Sequence, residues 1–85
     1  MAITRRTAHF GLLATLAERH LAELGYQVEP AVIDAALNRQ CESAGALLGI
    51  SARAALPHAA DSSALSLAED IATILRVADE GRERP

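Results

Sequence analysis

Apolar residues recur along this chain at helical spacing. Phe10, Leu13, Ala17, Leu21 and Leu24 follow i, i+3, i+7, i+11 and i+14, which is one face of an α-helix. The pattern predicts a first helix over about Thr7 to Leu24, with Arg19 and Glu23 four apart on its polar side. Gly25 can take the left-handed backbone that stops it. Pro30 suits the first position of a second helix, where its missing N–H costs nothing. Ile33, Leu37, Cys41, Ala44 and Leu48 form that helix's apolar seam, and Val32, Ala36 and Leu47 widen it. The second helix is expected to end at Gly49.

Beyond Gly49 the pattern shortens. Ile50 is expected to plug the corner and Ser51 to cap a short helix from Ala52. Pro57 removes a helical hydrogen bond and disfavours helix at Leu56, so this third element stays short. Asp61-Ser62-Ser63 reads as a loop. Ser66-Leu67-Ala68-Glu69 has the S-x-x-E form of a capping box, which predicts a last helix over about Leu67 to Asp79. Leu67, Ile71, Ile74, Leu75 and Ala78 would form its buried face, Gly81 would close it, and residues 82–85 would be a polar tail. The expected fold is all-α: a small bundle of three main helices plus a short helix at the 49–58 corner, in one domain over residues 1–81.

Composition supports helix and thins the core. Hydrophobic residues are 51% of the chain, but most are Ala and Leu, and Phe10 and Tyr26 are the only aromatics. Ala and Leu favour helix, and sparse β-branched residues argue against sheet. Eighty-five residues with an Ala-rich core leave a narrow stability margin. Added burial against a protein partner, or against a second copy in a homodimer, is therefore expected.

Charge is unevenly spread. Five Arg balance five carboxylates through residue 60, whereas residues 61–85 carry six acids against three Arg, giving the net −3. The chain lacks the broad basic face of a typical nucleic-acid binder. Its acidic quarter offers Glu69, Asp70, Asp79 and Glu80 to a basic partner.

Little catalytic chemistry is present. There is no Gly-rich phosphate loop, no metal-ligand spacing and no nucleophile with an evident base. No enzyme activity, cofactor, metal or small-molecule substrate is expected. His9 and His20 fall on one helix face but about 16 Å apart, too far to share a metal ion. His58 has only Asp61 near it in sequence, and Cys41 lies on the apolar seam, where a thiol packs as a small hydrophobe. Arg5 and Arg6 precede an apolar run, as in a twin-arginine export signal, but Glu18, Arg19 and His20 interrupt the run. No stretch approaches the roughly 20 apolar residues of a membrane span. With a lone cysteine, the expected compartment is the cytoplasm, with no membrane partner.

One stretch suggests an activity. Ser43-Ala44-Gly45-Ala46-Leu47-Leu48-Gly49-Ile50-Ser51 resembles the first helix and turn of bacterial helix-turn-helix DNA-binding regulators, and the likeness extends to about residue 56. In such a turn Gly45 would permit close approach, Gly49 would supply the positive φ, Ile50 would anchor the corner and Ser51 would cap the reading helix. The resemblance implies a transcriptional regulator or antitoxin-like protein, active as a dimer. Ser51 and Arg53 would face the major groove, with Arg39, or Arg5 and Arg6 on an N-terminal arm, on phosphate. After the turn, only Ser51, Arg53 and His58 carry polar side chains among residues 51–58. A second reading therefore stands beside it: a helical protein-interaction module, an accessory subunit or inhibitor, in which Leu-Gly-Ile-Ser is only a corner and the N-terminal arginines a solvated end.

Overall fold

Two glycines make the chain's first two reversals. In the computed structural model, which describes residues 2–83, α1 spans Ala8–Glu23 and α2 spans Pro30–Leu48. Gly25 has φ +91, and the next N–H, that of Tyr26, donates to the Leu21 carbonyl at 2.9 Å. Gly49 has φ +72, and the Ile50 N–H donates to the Gly45 carbonyl at 2.8 Å. Both are left-handed stops that satisfy carbonyls left open at a helix end.

The short third element forms as the sequence predicts. The Ser51 hydroxyl accepts from the Ala54 N–H at 3.1 Å and caps α3, Ala52–Ala55. Pro57 then tightens Leu56–His58 into a single 3-10 turn. The last helix, α4, differs from expectation. It spans Asp61–Glu83, so Asp61-Ser62-Ser63 is its first turn and not a loop. Asp61 places a carboxylate at the positive end of the helix dipole. Ala64, one turn on, is fully buried and extends the apolar face backwards. The S-x-x-E spacing at Ser66 also occurs inside any helix, and here Ser66 is an exposed interior position. Gly81 does not close the helix, because Gly25 and Gly49 alone among the described glycines have positive φ. Residues 82 and 83 continue α4, and the rest of the expected tail, residues 84 and 85, lies outside the described residues.

The described residues contain no strand, and the four helices make an all-α fold. Helix α4 lies along α1, and α2 packs on α3 and α1, while α2 and α4 scarcely touch. Phe10, Leu13, Leu21, Ile33 and Leu37 are the largest fully buried side chains. Each stabilises the fold by about 1.5–3 kcal/mol through removal from water. Ala14 and Ala17 on α1, with Ala64 and Ala68 on α4, are also fully buried, and their small size lets the two helices approach closely. The two helices run in the same direction. His9 at the start of α1 donates from Nε2 to the Ala59 carbonyl, 2.9 Å away, just before α4. At the other end Leu24 and Tyr26 share a depression with Ala72 and Arg76.

The N-terminal arm is not a solvated end. Ile3 is buried, and Arg5 bridges Glu18 of α1 and Asp34 of α2. Several residues expected on apolar faces are instead exposed, namely Leu24, Val32, Leu47, Leu48, Ile74 and Ala78. Ile50 is exposed as well and does not plug the corner. The reason is common to Val32 and Ile74: each sits on the side of its helix that faces the space between α2 and α4, and no element fills that space.

Candidate functional site

The turn is built tightly from small parts. A Cβ added at Gly45 would stand 2.6 Å from the Ile50 carbonyl oxygen, so only glycine lets the chain fold back there. The reading segment that follows is only four helical residues long. Ala55 and Leu56 point inward, and Ser51 spends its hydroxyl on the cap. Arg53 and His58 remain exposed.

The other arginines do not join Arg53 on one surface. Arg5 donates from Nε to Asp34 Oδ1 at 2.8 Å and from Nη2 to Glu18. Those bonds, Asp34 first, hold its proton more tightly than usual. Arg5 therefore lies on the α1 side of α2. Arg39 lies on the α4 side, beside Ile71 and Ile74. Arg6 is exposed near the chain start. The acidic residues also separate. Glu69 lines the depression with Leu24 and Tyr26, whereas Asp70 lines the opposite flank of α4 with Arg39. Asp79 and Glu80 are exposed in the last turns of α4.

A larger feature lies between α2 and α4, which scarcely touch. A groove of about 650 Å³ runs between α2 and α4, walled by Val28, Val32, Ala36, Ile71, Ile74 and Leu75. Val32 is 49% exposed, Ile74 68% and Val77, one turn past Ile74, 59%. Branched aliphatic side chains are thus left clustered against water on this side of the chain. Sequence periodicity finds Val32, Ala36, Ile71, Ile74 and Leu75 but assigns them to buried faces, and it passes over Val28 and Val77. The signal that separates them is charge: Arg39 follows Val32 by seven residues on the same flank of α2, which makes that flank amphipathic.

Cys41 and His58 line one small cavity of about 230 Å³. Burial pushes the Cys41 thiol up, with Glu42 adding to the shift, which disfavours the thiolate. Among the described residues no group of His, Cys, Asp and Glu could hold a metal ion, and no helix is long and apolar enough to cross a membrane. No family model, curated protein or solved structure matches the chain.

Proposed function

We propose that this chain is a small non-enzymatic regulatory protein of the cytoplasm that works by binding another protein through the α2–α4 groove, as an accessory subunit, inhibitor or antitoxin does. The observation that carries this reading is the groove itself: an apolar trough about two to three helical turns long, left open because α2 and α4 both pack on α1 and scarcely touch each other. It fits an amphipathic helix better than a small molecule, since it is open along its length.

The helix-turn-helix reading, which the sequence puts first, takes second place. In its favour, the turn has the expected left-handed glycine, capping serine and exposed arginine. Against it, the reading helix is one turn long, and Arg5 is committed to two carboxylates.

Affinity capture from the native host, with wild type, I74E and R53E compared, separates the two. Protein capture lost in I74E and retained in R53E supports the groove. Nucleic acid captured by wild type and lost in R53E, together with a salt-dependent shift of mixed DNA, supports the turn. A folded I74E chain that captures the same proteins as wild type overturns the groove reading.

A further inference from the structure

The groove carries opposite charges at its two ends. Glu29 lines the end where α2 begins, as the residue just before Pro30, and its side chain makes no capping bond. Arg39 lines the other end, where the groove continues into a second cleft beside Asp70. Among the described residues neither makes an ion pair: Arg5 with Glu18, Arg5 with Asp34 and His20 with Glu23 are the pairs formed. Ten positions of sequence separate Glu29 from Arg39, or about 15 Å along a helix axis. Between them the wall is aliphatic.

From this arrangement we infer that the occupant is an amphipathic helix from a partner protein, with an apolar stripe flanked by a carboxylate at one end and a cation about ten residues away at the other. The inference rests on the groove being the working surface and names the chemistry of what fills it. The carboxylate pairs with Arg39 and the cation with Glu29. A helix is itself stabilised by acids in its first turn and bases in its last. The occupant therefore enters with its N-terminus at Arg39 and leaves past Glu29, antiparallel to α2 and parallel to α4. Its apolar residues at i, i+3, i+4 and i+7 replace water on Val32, Ala36, Ile71 and Ile74.

Synthetic helical peptides test this directly. The matched peptide has four apolar positions at that spacing, Glu in its first turn and Lys ten residues later. A second peptide has Lys and Glu exchanged, and a third has Gln at both places. Wild type should bind the matched peptide about three- to tenfold more tightly than the Gln peptide, the range expected of two rim ion pairs. The difference should shrink in high salt. The paired variant R39E/E29K, which keeps the net charge and the apolar wall, should invert the order and prefer the exchanged peptide.

Equal affinity of wild type for all three peptides overturns the charge assignment while leaving the groove as the binding surface. Loss of peptide binding in I74E, with helicity intact, locates the peptide in the groove. Absence of peptide binding by wild type overturns the inference and the groove reading together, unless sedimentation shows a dimer that I74E dissociates. In that case a second copy of the chain occupies the groove, and only the foreign helix is overturned.

Discussion

Asn38 holds the backbone of Ile3 from both sides. The Ile3 N–H donates to Asn38 Oδ1 at 2.7 Å, and Asn38 Nδ2 donates to the Ile3 carbonyl at 2.9 Å. One side-chain amide on α2 thus satisfies a residue 35 positions away and pins the Ile3 side chain into the core.

Removing that amide should detach the arm. N38A loses both bonds and leaves the Ile3 backbone short of partners, at a cost of about 1–3 kcal/mol. N38D keeps the acceptor and loses the donor, and should fall between N38A and wild type. Urea unfolding monitored by circular dichroism measures this. An N38A midpoint equal to wild type would show that the arm is not clamped.

Arg5 joins three segments by bridging Glu18 and Asp34, and all three side chains remain about one-third exposed. Exposure discounts the ion pairs, so R5A should cost about 1 kcal/mol, and R5K, which cannot span both carboxylates with one planar fork, should recover only part. The Arg5 proton is held more tightly in the folded chain than in the unfolded one. While its carboxylate partners are ionised, the stability that this gives is complete below the guanidinium's unfolded value and is lost as pH rises through the folded one. The wild type minus R5Q difference should accordingly contain no Arg5 titration near neutrality.

The glycines should respond in opposite directions. G45A forces a Cβ to within 2.6 Å of the Ile50 carbonyl oxygen, a backbone atom that cannot swing aside. It should destabilise by about 1–3 kcal/mol. At Gly81 a Cβ meets nothing, and the backbone is helical. G81A should therefore stabilise by about 0.5–1 kcal/mol and raise helicity. A destabilised G81A would restore the helix stop that the sequence pattern suggests.

Cys41 should be inert while the chain is folded. Its burial raises the thiol pKa, so labelling by a thiol reagent at neutral pH should track global unfolding. The sign of the linked effect follows. A raised acid pKa means that the unfolded thiol ionises first, so stability is intact below the unfolded value and falls as pH climbs above roughly 8.5. The C41A chain should lack that alkaline decline, as denaturation at pH 7 and pH 10 would reveal.

Much of the local structure is legible in the residue order. Pro30, Gly25, Gly49 and Ser51 fix helix ends by constraints that act within a few residues: a missing N–H, a tolerated positive φ, a hydroxyl within reach of an N–H. Long-range pairing is not legible. Nothing in the spacing of Asn38, Ile3, Arg5 and Asp34 announces that they meet, because each contact depends on how α1 and α2 dock. The start of α4 was hidden for a related reason. Ala64 counts as core only because Ala14 and Ala17 offer a close surface to small residues, and an isolated alanine gives periodicity almost no weight.

The sequence by itself determined that the described residues are helical and not sheet, and where α1, α2 and α3 begin and end, since backbone propensity and capping are local. It also determined that the apolar flanks of α2 and α4 are wider than a single contact needs. Only the tertiary structure decided where that excess went. Both helices dock on α1, whose small residues admit α4 closely, and the flanks bearing Val32 and Ile74 are left facing an open groove. Periodicity tells which residues avoid water in a helix but not whether a neighbouring helix is present to cover them.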